Sequence, residues 1–186
     1  MKTNTSFCYI FFLILLILSG CGGIKTRLSP AELKWINVYK GGDTLIFRSD
    51  IGELDTSVII KKEIFYPEYM PVEVHDKYLP QWGEIWYRNK NLEYHPDGYR
   101  MITIEKKHPK NNTFLSIDYL YASVLVPNLT TGGLKKYKQG KVYEFDTYHE
   151  GSKPYQPKKI FWHEDYGIIK YLTHADVVWE RVNYLK

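Results

Sequence analysis

The sequence predicts a mainly β fold: an antiparallel meander, bent into a curved sheet or an incomplete barrel, with a short N-terminal helix. Three observations carry this. Tyrosine occurs 17 times in 186 residues and recurs, with β-branched residues, at alternating positions, a usage that suits a pleated, half-buried surface. The strand-like runs are short and are separated by close turns such as Asp50-Ile51-Gly52-Glu53 and His163-Glu164-Asp165-Tyr166-Gly167, the spacing of hairpins rather than of parallel α/β units. Neither an internal repeat nor a low-complexity tract interrupts the pattern.

The first element is an address. Lys2 precedes an unbroken apolar run from Phe7 to Leu18, and small residues follow around Cys21, the order of a secretory signal. A spanning helix needs about 20 apolar residues, more than this run supplies. Residues 1–20 are therefore read as a signal peptide, 21–28 as a tether and 29–186 as a single domain. If the signal is removed, Lys2 goes with it and the net charge drops from +4 to +3, a mild excess that compels no acidic partner. Cys8 is lost too, which leaves Cys21 as the sole cysteine and excludes both an internal disulfide and a cysteine zinc site.

The domain opens with Ser29-Pro30-Ala31-Glu32, in which Ser29 suits an N-cap, Pro30 the first helical position and Glu32 a capping box. A helix to about Val38 follows, with Leu33 and Ile36 on one face. Gly41-Gly42-Asp43 ends it. Thr44 to Ser49 and Thr56 to Lys62 then form a hairpin. From Ile64 to Tyr99 prolines 67, 71, 80 and 96 punctuate an irregular stretch in which Glu84 to Arg88 is the best strand. Met101 to Lys106 and Thr113 to Val124 read as strands, the second placing Leu115, Ile117, Tyr119 and Tyr121 on one face. Further strands are expected at Lys141 to Thr147, Lys159 to Trp162, Ile168 to Thr173 and Val177 to Val182.

Two resemblances add to this reading. Leu18-Ser19-Gly20-Cys21 resembles the lipobox of bacterial lipoproteins, which implies a diacylglyceryl group on the Cys21 sulfur, cleavage before Cys21 and a membrane partner held through that covalent lipid. Two or three buried acyl chains, at about 0.8 kcal/mol per CH₂, hold a domain durably where one does not. Gly22-Gly23 stands where an inner-membrane retention signal would place Asp, so the expected location is the outer membrane of the cell envelope. Second, Trp35 with Tyr39 to Phe47, Gly140-Lys141-Val142-Tyr143, Lys159-Ile160-Phe161-Trp162, Tyr166 to Tyr171 and Trp179-Glu180 are similar to a recurrent pattern in small uncharacterised bacterial lipoproteins. That resemblance implies a lipidated, mostly antiparallel β domain and carries over no activity.

Chemistry is sparse. The six histidines are scattered without metal-ligand spacing, and no metal or other cofactor is expected. No Gly-x-Ser-x-Gly elbow is present. Glu84, Asp97 and Asp118 could pair as acid and base only at a fixed separation that spacing along the chain does not show, so no catalytic residue is assigned and a hydrolase stays a distant alternative. Lysines 135 to 159 interleave with tyrosines, a pattern weighed for nucleic acid and set aside for an exported chain in favour of a solvated face, with anionic head groups as a further partner. Asn111 and Asn128 open glycosylation sequons that serve as turn residues in a bacterium.

Phe65, Tyr66, Tyr69, Tyr78, Trp82, Trp86, Tyr87, Tyr94 and Tyr99 crowd the proline-punctuated stretch. Such rings form either a satellite core beneath a loop or a recognition surface for an envelope glycan, lipid or protein. On the second reading Trp82, Trp86, Tyr87 and Tyr78 are the candidate contacts. The expected function is a non-enzymatic binding or scaffolding module, the alternative a carrier of an apolar ligand in the concave face of a curved sheet.

Overall fold

The computed structural model describes residues 24–68, 77–110, 113–129, 134, 138–148 and 153–184. The signal run, Cys21, Gly22 and Gly23 lie outside them. After β1 (Ile24–Lys25) comes α1 (Pro30–Asn37), and then β2 (Thr44–Ser49), β3 (Leu54–Phe65), β4 (Tyr78–Leu79) and β5 (Gln81–Asn89). The chain continues through β6 (Tyr99–Lys106), β7 (Thr113–Tyr119), β8 (Ala122–Val126), β9 (Lys138–Gln139) and β10 (Val142–Asp146). It ends in β11 (Pro157–His163), β12 (Gly167–Thr173) and β13 (Val178–Arg181).

The expected antiparallel meander is what forms, and it closes further than a curved sheet. The order β8-β7-β6-β5-β3-β2-β13-β12-β11-β10-β9 joins sequence neighbours except where β5 pairs with β3 past the short β4, with β13 returning beside β2. The two edges then meet: Ser123 in β8 and Tyr148, just past β10, exchange backbone hydrogen bonds of 3.1 and 2.7 Å. The ten strands from β8 round to β10 thus make a nearly closed, barrel-like sheet, with the two-residue β9 paired outside β10, which leaves little unpaired edge. Register shifts between Ile59 and Lys61 and between Ile85 and Trp86 supply the local bends that closure needs.

Inside, alternation decides the face. Leu45, Phe47 and Ser49 of β2, Asp55, Ser57 and Ile59 of β3, and Leu115, Ile117 and Tyr119 of β7 all point inward and are buried. Aromatic rings fill much of the space: Phe47, Tyr119 and Tyr171 lie within 5.9 Å of one another, and Tyr87 stacks on Tyr119 at 5.4 Å.

Helix α1 closes one end. Ser29 and Glu32 form the expected capping box with Pro30 in the first turn. Trp35 packs on Tyr143 and Trp162, both at 5.2 Å, and Ile36 sits over Gly83, where a Cβ would stand 2.7 Å from its Cδ1. Tyr39 donates nothing to solvent; its hydroxyl accepts the Ile168 N–H at 2.7 Å. Gly167 beside it has φ +75°, and a Cβ there would lie 2.1 Å from that hydroxyl, so only glycine meets both demands.

The structure corrects three expectations. Residues 24–28 are docked rather than a free tether: β1 pairs in parallel with β4, and Thr26 is 2% exposed, its hydroxyl donating to the Lys106 carbonyl at 2.5 Å. The strand expected at Glu84 to Arg88 runs from Gln81 to Asn89, because Pro80 and Pro96 flank β5 instead of interrupting it. Thr113 to Val124 is two strands, not one. Leu120 and Tyr121 take φ of 50° and 63°, the left-handed pair of a two-residue hairpin turn that glycine or asparagine normally announces. Tyr121 therefore leaves the inward face and is 44% exposed.

A buried ion pair ties α1 to the barrel. Lys106 Nζ lies 2.5 Å from Glu32 Oε1, the Thr113 hydroxyl donates to the same oxygen, and the Ser29 N–H donates to Oε2 at 2.6 Å. Burial pushes the Glu32 carboxyl up, but the hydrogen bonds from Lys106, Thr113 and Ser29 outweigh it and hold the group below its ordinary value of 4.5. A carboxyl depressed on folding adds stability that is fully present above the unfolded value and is lost as pH falls through the folded one. Urea midpoints of the wild-type chain should therefore drop as pH falls below 4.5. Glu32→Gln should cost about 3–5 kcal/mol at neutral pH by leaving Lys106 buried alone, with a shallower acid dependence; equal slopes for the two chains would refute this role.

Candidate functional site

The end opposite α1 is open. Around it stand the β2–β3 turn, the β5–β6 loop, the β7–β8 turn and the strands flanking the other two connections. Together they enclose a cavity of about 640 Å³ whose lining includes Leu54, Leu92, Leu120, Tyr155, Tyr171 and Trp179, within the range of small-molecule sites. Each wall has a local cause. Tyr171 and Trp179 are paired across β12 and β13, which puts them on the same inward face and stacks their rings at 5.7 Å and 9°. Leu120 is presented by the left-handed turn, and its N–H donates to the buried Tyr87 hydroxyl at 2.9 Å. Leu92 follows the β5 terminus, where the Asn91 N–H donates to Asn89 Oδ1 at 2.7 Å and bends the chain over the mouth.

Beneath this floor lies Asp55, 1% exposed. Its Oδ1 accepts from Asn89 Nδ2 at 2.9 Å and Asn91 Nδ2 at 2.8 Å, and its Oδ2 from the Tyr171 hydroxyl at 3.2 Å and the Tyr119 hydroxyl at 3.5 Å. Ser57 joins through Asn89 at 2.8 Å and Tyr119 at 3.0 Å. Burial, and then the Asp55 charge, push the Tyr119 and Tyr171 phenols well above their ordinary value of 10. Both remain donors at any physiological pH, and Asp55 is met only by donors, as an ionised carboxylate requires. Among the described residues no cation pairs with it.

The residues singled out from sequence are not brought together. Tyr87 is 1% exposed inside the barrel. Trp82 and Trp86 are on the outer face of β5: Trp86 donates to Glu84 at 2.9 Å and lies under Arg100, while Trp82 packs on Phe65 at 6.3 Å with its buried N–H unpartnered. Tyr78 stands in β4 with its ring edge-on to His108 at 4.8 Å. Cys21 lies outside the described residues. Of the carboxylates weighed as an acid and base pair, Glu84 binds Arg100 at 3.2 Å and Asp118 accepts from Ser116 and Ser123, in separate networks. Among the described residues no group of three or more His, Cys, Asp or Glu could hold a metal.

Sequence reasoning passed over Asp55, Asn89, Asn91, Tyr171 and Trp179. One signal was available: a polar Asp55 and Ser57 in phase with the inward Ile59 marks a strand whose core face is not apolar.

No family model, curated protein or solved structure matches the chain. Its own geometry is therefore what bears on function.

If Tyr87 acts inside the wall, Tyr87→Phe should leave the Leu120 N–H buried without a partner and cost about 1–3 kcal/mol. Hydrogen exchange at Leu120 should accelerate with it. Unchanged stability and unchanged exchange would show that the turn stands without that bond.

Proposed function

We propose that the chain is a lipid-anchored, non-enzymatic protein of the cell envelope, tethered through Cys21, that binds a small amphipathic ligand in the mouth of its barrel. The observation that carries the binding reading is the mouth cavity itself: about 640 Å³, walled by Leu92, Leu120, Tyr171 and Trp179, with Asn91 in its lining and bonded to Asp55. Apolar walls supply affinity and a few fixed polar groups supply orientation, the usual division in a ligand pocket. A wide lumen for a long acyl chain is absent among the described residues, because aromatic side chains and α1 occupy it. This moves the site from the concave sheet to its rim.

The anchoring half of the proposal rests on the signal order and on Cys21. The docked segment is consistent with it: β1 joins the barrel at the end that α1 plugs, through Thr26 and Lys106. Lys25, Arg27, Lys77 and Lys107 are exposed around it, each worth up to about 1 kcal/mol beside anionic head groups. Among the described residues no helix is long and apolar enough to cross a membrane. Contact through Trp82 and Trp86 is the weaker reading, since Glu84 and Arg100 already engage Trp86.

Two measurements separate the parts. Metabolic lipid labelling should disappear in Cys21→Ala. Fluorescence titration with a neutral apolar dye, N-phenyl-1-naphthylamine, should show Trp179→Ala binding about tenfold more weakly, the effect of a central contact, while the double change Trp82→Ala and Trp86→Ala leaves affinity intact. The reverse pattern would move the site to the outer wall.

A further inference from the structure

We infer that the ligand taken at the mouth is an organic cation, an ammonium compound with apolar substituents. This deepens the proposed mouth site and rests on it. The argument is one of charge and of shape. Glu53 and Lys90 both line the rim and both are exposed, so their opposite charges cancel and are screened by solvent. What remains is Asp55, one layer below the floor, screened by almost no water and paired with no cation among the described residues.

Its partners are all donors. Asn89, Asn91, Tyr119 and Tyr171 donate to Asp55, which solvates the carboxylate without neutralising it. The field in the mouth is therefore negative, and in a partly desolvated cleft it acts at longer range than it would in water. Asn91 and Tyr171 line the cavity and each spends a donor on Asp55. A carboxylate or phosphate entering here meets the like charge of Asp55 below it.

The walls agree. Tyr171 and Trp179 are stacked at the lumen side; the Tyr155 ring at the rim already has the exposed Lys153 Nζ 5.9 Å from its centroid. Ring faces attract cations, tryptophan best, and quaternary ammonium groups are recognised by such faces when an anion lies close. Leu92 and Leu120 provide apolar contact for the substituents. The buried carboxylate and the ring faces beside it thus select one ligand class, whichever compound carries it.

The test compares three probes of nearly one shape on the purified full chain: choline, its uncharged carbon isostere 3,3-dimethylbutan-1-ol, and 3,3-dimethylbutanoate. Chemical-shift titrations read at Tyr171 and Trp179 should rank choline at least about tenfold ahead of the isostere, and the anion last. Asp55→Asn, checked for folding by its thermal midpoint, should bring choline down to the isostere. Equal binding of all three by the wild-type chain would overturn the cation inference and leave the mouth site standing. Tighter binding of the anion would also overturn it. No shift at Tyr171 or Trp179 with any probe, together with no dye binding, would overturn both.

Discussion

The closed end of the barrel hangs on one carboxylate doing two jobs. Glu32 closes the capping box at the start of α1 and, through its other oxygen, takes Lys106 and Thr113 from the ends of β6 and β7. A helix of only eight residues is marginal alone in water. It persists because its N-terminal bonding and its docking are the same bonding. Removing one partner leaves a buried charge uncompensated, which costs more than the pair contributes. The pair therefore specifies position rather than adding bulk stability: it sets Trp35 and Ile36 over the barrel end, and those two side chains close it.

Once one end is closed, the fate of the lumen follows from side-chain size. Tyr39, Tyr87, Tyr119, Tyr171, Phe47 and Trp162 are among the largest fully buried side chains, and rings of this volume fill a ten-strand cross-section that aliphatic residues would leave hollow. Their hydroxyls need partners, and each finds one: Ile168 for Tyr39, Leu120 for Tyr87, Asp55 for Tyr171 and Tyr119. The polar interior is thus a consequence of building the core from tyrosine. Asp55 is the acceptor that makes two of those phenols affordable inside, and it is also what gives the mouth its sign.

The sequence is legible where periodicity and turn chemistry agree and opaque where they part. Ser29-Pro30-Ala31-Glu32 states its helix, and Gly52 and Gly167 state their turns, so the strands beside them are found to within a few residues. The Leu120-Tyr121 turn is invisible because it uses neither glycine nor asparagine; tertiary bonding from Tyr87 holds a conformation that local preference disfavours. The Trp82 to Trp86 region misleads in the opposite sense. Aromatic density there reflects a strand with one face in the core and the other covering it, and the prolines nearby hide how far that strand extends. The mouth was unreadable for a different reason. Asp55, Asn91, Leu120 and Trp179 meet only after the ends of five hairpin connections converge, and no spacing along the chain encodes that convergence.

The two ends of the barrel, taken together, constrain where a ligand comes from. On the proposed anchoring, Gly22 and Gly23 alone separate the lipidated Cys21 from β1. Fully extended, that span reaches roughly 10 Å at about 3.3–3.6 Å per residue. Because β1 is fastened at the α1 end, so short a leash keeps that end beside the head groups. The mouth, at the opposite end of every strand, then faces water. A ligand drawn sideways from the bilayer would have to travel the length of the barrel to enter. One dissolved in the aqueous compartment would not, and a small ammonium compound is such a solute. The direction of the tether and the charge beneath the floor, which share no residue, therefore favour the same kind of ligand.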